Sequence, residues 1–456
     1  MSDSAEEREY LRAAQLAYAE ITERLGEGVP QPRLEPTRRV VELLGDVHRS
    51  YPVIHVAGTN GKTSTSRMIE AILRAYGLRT GLFTSPHLVA VNERIQIDGV
   101  PIANDAFVAN WLDIKPYIDM VDAELETSNE PKLTYFEVLS ILAFACFADA
   151  PVDVAVVEVG LGGEWDSTNV ADAVVSVFTP IDLDHTNRLG ATVREIALTK
   201  SGIIKPSALV VSAAQSDEAR EVLVNGAELT ESTIAFLGSG SLGVTTTMAV
   251  GGQQISVAGQ AARYDDLFLG LYGTHQAENA ALAVIAVEAF LGGAAQQLDP
   301  AVLAEALATV QSPGRLQLVG SDPTVLVDAA HNPHGAKALA EALDEFFTFD
   351  DVTFVIGTLD DKDSAGIITR LAEVASRFIV VPVNSERASA VSDVVEVCQN
   401  VAPHIAASTT NTVAEGIAQA RAYASAEDKG AVVVTGSIVL VGQALQVAEL
   451  TEGWTK

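Results

Sequence analysis

Two runs in this chain, "VDVAVVEV" at 152–159 and "AVVSVFTPI" at 173–181, are apolar on both faces. Strands of that kind lie inside a largely parallel sheet with helices covering each side, which narrows the fold more than any other feature does. The surrounding pattern agrees. From Tyr51 onward, short β-branched runs alternate with longer segments of helical period, the order of parallel strands joined by crossover helices. "YPVIHVA" is the first strand; after a glycine turn, "TSTSRMIEAILRAYG" sets Met68, Ile69, Ile72, Leu73 and Tyr76 on one helical face that stops at Gly77. The class is α/β.

The length, 456 residues with 48% apolar content, exceeds what one core organises, so two domains are expected. Between about Glu228 and Gly273 the texture turns to Gly, Ser and Thr with alternating segments ("TTTMAV", "QQISVAG", "LFLGLYG"), predicting an appended antiparallel meander. A second α/β series starts at "TVLVDAAHNP" and runs through "VTFVIGTLDD", "RFIVVPVN" and "GAVVVTGS". The Ser-Pro-Gly of "QSPGRLQ" breaks a helix just before it, which places the domains at 1–311 and 312–456.

Between the first strand and its helix stands "HVAGTNGKTS", residues 55–64. A phosphate loop of the form G-x-x-x-x-G-K-[ST] requires glycine at position 56, where this chain has Val56. Gly58, Gly61, Lys62 and Thr63 remain, and they keep the physics: amides turned toward an anion, a helix N-terminus behind them, a lysine for the phosphates and a hydroxyl for Mg²⁺. The structural alternative is a glycine turn opening a helix. Strand, loop and helix in that order favour nucleotide binding.

A phosphate loop needs an acid on its metal side. Glu158 ends an apolar run and is followed by glycines, and a charge in such a strand is costly unless it is paired or metal-bound. Past the next strand, "DLDHTNRLG" offers Asp182, Asp184 and His185; hardness favours an aspartate for Mg²⁺, and periodicity does not choose among them.

With 60 Asp and Glu against 29 Lys and Arg, the net charge is −31, which opposes nucleic-acid binding because that draws its affinity from cations neutralising phosphates. Cations for a small anion must then be gathered locally. Cys146 and Cys398 form neither a disulfide framework nor a zinc pattern. The acidic start "MSDSAEEREYLRAAQ" is unlike a signal peptide and no apolar run approaches the ~20 residues of a membrane helix, so no membrane association and a cytoplasmic location are expected.

Taken in order, "GTNGKTS", "TSPHL" with "NERI", "LTYFE", "EVGLGG" with "DSTN", "DHTNRLG", "TKSGIIKP", "GTHQAENAALA", "SPGRLQ", "DAAHNPHGA", "DDKD" and "TGS" resemble the dihydrofolate synthase/folylpolyglutamate synthase family of the Mur ligase superfamily. The resemblance implies an N-terminal P-loop ATPase domain, a smaller Rossmann-like C-terminal domain, and ATP-dependent addition of L-glutamate to dihydropteroate or reduced folates through an acyl phosphate, by a monomer. The loop lacking its first glycine is then this superfamily's variant.

The residues carry over as follows. Gly58, Thr59, Asn60, Gly61, Lys62, Thr63 and Ser64 hold the ATP phosphates; Ser85, Glu158 and His185 contact magnesium, so His185 displaces the aspartates favoured on hardness. Lys200 matches a lysine carried as a carbamate that binds a second magnesium, chemistry that burial assists by favouring the neutral amine. The resemblance also implies Asn279 near the adenine, Arg315 reaching the phosphates, and Asp328 and His331 contacting the nucleotide, while Asn332 and Pro333 read as a helix cap. Thr134, Phe136 and Glu137 lie where the family binds its pterin-bearing substrate, with Phe136 available for stacking; by itself Thr134-x-x-Glu137 is also a capping box. Lys362 and Arg387 are assigned to the incoming glutamate. Glu164 departs from the family's usual Arg, and Thr199 and Ser201 from its "EKAGI". Two other readings share the loop: a different Mur-type amino-acid ligase, and a nucleotide-dependent switch without ligase chemistry.

Overall fold

The computed structural model describes residues 5–450; the first four residues of the acidic N-terminal stretch and the last six of the chain lie outside them. The chain divides into two compact units, one of Met1–Thr245, Ser256–Leu267 and Glu278–Ala308, the other of Thr246–Ile255, Phe268–Ala277 and Thr309–Lys456.

Among the described residues the large sheet has eight strands: β1 Val53–Ala57, β2 Thr80–Phe83, β3 Ile95–Ile97, β4 Val100–Pro101, β5 Val154–Glu158, β6 Val175–Phe178, β7 Leu209–Ser212 and β8 Thr233–Phe236. Their order is β4-β3-β2-β5-β1-β6-β7-β8, with β3 and β4 antiparallel at one edge and the rest parallel. The two doubly apolar runs are β5 and β6, and they flank β1, whose five residues are all buried. One part of the expected meander belongs elsewhere. "TIAF" at 233–236 pairs in parallel with β7 and closes the large sheet, and the separate three-stranded sheet is β9 Gly243–Ala249, β10 Gly252–Ala258 and β11 Arg263–Leu269, in the order β11-β10-β9.

The second unit is built on β12 Gln317–Ser321, β13 Thr324–Val327, β14 Asp351–Ile356, β15 Arg377–Val380, β16 Ala406–Thr409 and β17 Gly430–Thr435, in the order β12-β13-β17-β14-β15-β16. Only β12 runs antiparallel. β12 and β16 are partly exposed edge strands, so neither carries the continuous apolar signature that marks β13, β14 and β17.

Strand order explains the loop's missing glycine. Val56 pairs with Glu158 on one side and Val177 on the other, so position 56 is central strand and the loop begins two residues later, at Gly58. Behind the sheet, Phe147 is fully buried with its ring against Gly81, where an added Cβ would come within 2.7 Å of it. Phe147→Ala should lower the unfolding free energy by about 3–5 kcal/mol, read as a urea midpoint shift at unchanged slope.

Candidate functional site

The turn after β1 is shaped by two glycines. Gly58 has φ +145°, and a Cβ there would lie 1.9 Å from Thr179 Oγ1; Gly61 has φ +87°, and a Cβ there would lie 2.6 Å from Asn279 Oδ1. The loop therefore presses against the end of β6 on one side and against Asn279 on the other. Gly61 leads into the Lys62–Ala75 helix, so the loop delivers the N-terminal amides of a fourteen-residue helix to its open side. Thr59 fastens the loop: its amide donates to Pro180 O at 2.9 Å, and its hydroxyl donates to Asp182 O and accepts from Asp182 N, both at 3.0 Å.

Glu158, 1% exposed, ends β5 beside this loop. Its carboxylate accepts from the Thr63 hydroxyl at 2.9 and 3.0 Å and from the Ser85 amide at 3.2 Å. Three expected metal-side residues thus meet at one point. Among the described residues no group of three or more His, Cys, Asp and Glu side chains is arranged to hold a metal. One carboxylate with the Thr63 hydroxyl fits magnesium, which takes few protein ligands where phosphate and water supply the others.

Lys62 and Lys200 converge on one acceptor. Lys62 Nζ donates to Gly58 O at 3.2 Å and Thr59 O at 3.1 Å, while Lys200 Nζ, buried, donates to Gly58 O at 2.7 Å. Burial, and then the charge of Lys62, bring the Lys200 amine down to about 7, with Asp184 and Asp166 opposing. His185 lies past β6 at φ +49°, a left-handed conformation uncommon outside glycine, with its amide on Asp184 Oδ1 at 2.8 Å and its ring nitrogen 4.0 Å from Asp184 Oδ2.

On the other side of Glu158, Phe136 lays its ring on Gly160, where a Cβ would approach Cζ to 2.3 Å, and sits 5.8 Å from the Phe83 ring. Thr134 and Glu137 form the expected capping box, at 3.2 and 2.6 Å, and Glu137 also accepts from Arg33 at 3.0 Å. Asp166 is a residue the sequence reading passed over. Its carboxylate accepts from Leu161 N and from the amide and hydroxyl of Thr168, and that hydroxyl in turn accepts from His55 Nε2 at 2.8 Å. Burial holds His55 down to about 3, so the imidazole is neutral, and the chain of bonds fixes the glycine turn after Glu158 to β1. Only the Asp of "DSTN" signalled it.

In the second unit, Asp328 accepts from Leu316 N at 2.7 Å and Ala330 N at 2.9 Å; burial raises its pKa, and Arg315 opposes the rise. His331 Nδ1 lies 2.8 Å from Ala329 O, and Asn332 caps the Pro333–Phe346 helix through Gly335 N at 2.8 Å. His275 is a further residue near Arg315 and His334 that the sequence reading did not single out; burial, then those two neighbours, hold it down to about 4. Lys362 and Arg387 flank the Leu359–Ala388 bridge, and Arg387 pairs with Asp361 at 3.5 Å.

Lys200 gives a test of this electrostatics. Its folded pKa, about 7, lies below the ordinary 10.5, so across that window the unfolded chain binds more protons and stability rises with pH. In chelator and carbonate-free buffer, the unfolding free energy should climb between about pH 7.5 and 9.5, and Lys200→Met should remove that part of the slope.

Sequence comparison matches the Mur ligase middle domain over residues 56–287 and the Mur ligase glutamate ligase domain over 314–438. A Mycobacterium tuberculosis dihydrofolate synthase/folylpolyglutamate synthase is 41% identical over 441 residues, covering 91% of this chain and 90% of that one. The structure superposes on M. tuberculosis folylpolyglutamate synthase complexed with ADP with a TM-score of 0.91 at 39% identity, covering 96% of this chain and 99% of the other. It also matches Escherichia coli FolC in complex with DHPP and ADP, with a TM-score of 0.83 at 29% identity, over 96% and 98% of the chains. With both Mur ligase domains matched and a relative 41% identical over nine-tenths of each chain, this chain belongs to the dihydrofolate synthase/folylpolyglutamate synthase family of Mur ligases.

Proposed function

We propose that the protein is an ATP-dependent carboxylate–amine ligase that adds L-glutamate both to dihydropteroate and to reduced folates, working as a cytoplasmic monomer. Glu158 carries the reading: a carboxylate this deeply buried, held by the Thr63 hydroxyl and the Ser85 amide at the mouth of the loop, suits a metal that faces phosphate. Membership of the family supports the substrates, and among the described residues no helix is long and apolar enough to cross a membrane. We read residues 1–311 as the ATP-binding Mur ligase-like domain and 312–456 as the Rossmann-like ligase domain.

In this reading Gly58, Asn60, Gly61, Thr63 and Ser64 line the phosphates with backbone and hydroxyl donors, and Thr59, whose amide and hydroxyl are engaged by Pro180 O and Asp182 O, holds the turn that presents them. Lys62 exchanges its contacts with Gly58 O and Thr59 O for phosphate oxygens. Asn279 lies against the loop at Gly61 and takes the adenine side, while Arg315, Asp328 and His331 make the remaining nucleotide contacts. Thr63, Ser85 and Glu158 would hold one magnesium ion, and His185 with a carbamylated Lys200 a second; ions bound there neutralise phosphate charge. Phe136, flanked by Thr134 and Glu137, stacks on the pterin, and Lys362 and Arg387 receive the carboxylates of the incoming glutamate.

The substrate carboxylate oxygen attacks the γ-phosphorus, the bond to the β–γ bridging oxygen breaks, and ADP leaves. Lys62 and Arg315 stabilise the charge on the transferring group. The amine of L-glutamate then attacks the acyl carbon, an amide forms, and phosphate departs with the former carboxylate oxygen. Lys62→Ala should lose ligation by at least about 100-fold with an unchanged melting temperature, given the scale of such charge stabilisation. Phosphate release that requires both a pteroate compound and glutamate separates the ligase from a nucleotide switch; release with ATP alone, indifferent to either, would favour the switch.

A further inference from the structure

Between the Ala5–Thr22 and Glu35–Leu43 helices runs "ERLGEGVPQPRL", residues 23–34, a Gly- and Pro-rich connection without a role so far. It is fastened to three separate loops that each carry candidate site residues. Toward the loop capped by Thr134, which leads into the Tyr135–Asp149 helix bearing Phe136, Tyr135 N donates to Leu25 O at 2.9 Å, Arg24 donates to Leu133 O at 2.9 Å, and Arg33 binds Glu137 together with Pro131 O and Lys132 O. Toward the Ser85 loop, Arg94 pairs with the Glu27 carboxylate. Toward the His185 loop, Arg188 donates to Glu27 O at 3.3 Å and to Gly28 O.

Each metal-side anchor sits where it controls a loop. Arg94 closes the Ser85 loop, since Thr84 N donates to Arg94 O at 2.9 Å. Within that loop Glu93 accepts from the amides of Leu88, Val89 and Ala90 at 2.7–2.9 Å. Arg94 is itself buried, with Nε on His87 Nδ1 at 2.9 Å and its guanidinium 5.4 Å from the Tyr135 ring centre. A buried guanidinium holds its geometry tightly, because losing one partner leaves a desolvated charge. Arg188 follows His185 by three residues, and the left-handed backbone at His185 persists only where the surroundings fix it.

We propose that Glu27–Gly28 is a common anchor that sets the two metal-side loops relative to each other, with Arg94 as the positioning residue for Ser85 and Arg188 as that for His185. The inference rests on the reading of Ser85 and His185 as magnesium ligands. One short segment then registers ligands that arise a hundred residues apart in sequence, and does so without touching the metal.

Arg188 is the residue to test, because it is partly exposed and binds main-chain carbonyls that no substitution removes. Mn²⁺ binding in the presence of ADP, followed by electron paramagnetic resonance on the full chain, should weaken by about tenfold in Arg188→Ala, the scale on which outer-shell partners tune metal sites. ADP affinity in chelator and the melting temperature should stay at wild-type values, and Arg188→Lys should recover most of the loss. Wild-type Mn²⁺ affinity in Arg188→Ala overturns the proposal, as does an equal loss of ADP affinity in chelator, which would mark a general disturbance. The two readings separate cleanly. An inactive Lys62→Ala beside wild-type Mn²⁺ binding in Arg188→Ala removes the anchor alone, whereas a Lys62→Ala that still ligates removes the ligase reading whatever Arg188 does.

Discussion

The site depends on one carboxylate in the wrong solvent. Glu158 is delivered by the register of β5 into a position where water cannot reach it, so its oxygens must be satisfied by protein donors or by a cation. The Thr63 hydroxyl fixes the first turn of the loop helix over β5, and the Ser85 amide draws the loop after β2 to the same point. Gly160 follows two residues later and leaves room for Phe136. The glycine loop and the ring of Phe136 are thus both indexed to the end of a single strand.

Charge is handled locally against an unfavourable total. The chain is strongly acidic, yet Lys62 and Lys200 share the Gly58 carbonyl, Arg94 and Arg188 close on Glu27, and Arg33 reaches from the same segment to Glu137. Each of these cations is held by carbonyls or carboxylates that fix its position. The surplus acid elsewhere costs little, because exposed charges beyond about a Debye length are screened.

The parallel core was legible because burial on both faces leaves a compositional trace: β5 and β6 are continuous apolar runs, and β1 is followed at once by its glycine turn. β8, β12 and β16 leave none, being short edge strands with one face open, which is why the texture of 228–273 groups β8 with the meander. In the site, residues attached to a recognisable loop were legible as candidates. Asp166, Arg94 and Glu27 were not, because their meaning lies in partners distant in sequence: Asp166 acts through Thr168 upon His55, and Arg94 reaches back 67 residues to Glu27. Thr134 and Glu137 show the converse, since a local capping pattern announces the helix end and says nothing of Arg33.

Thr59 has a consequence of its own. One hydroxyl serves as both donor and acceptor to the main chain of Asp182, so the turn that would cradle a triphosphate and the stretch leading to His185 are riveted together at a single oxygen. Serine could keep that rivet; valine, nearly the same shape, would strand an amide and a carbonyl together. Losing that one oxygen would let the turn after β1 and the stretch leading to His185 drift independently.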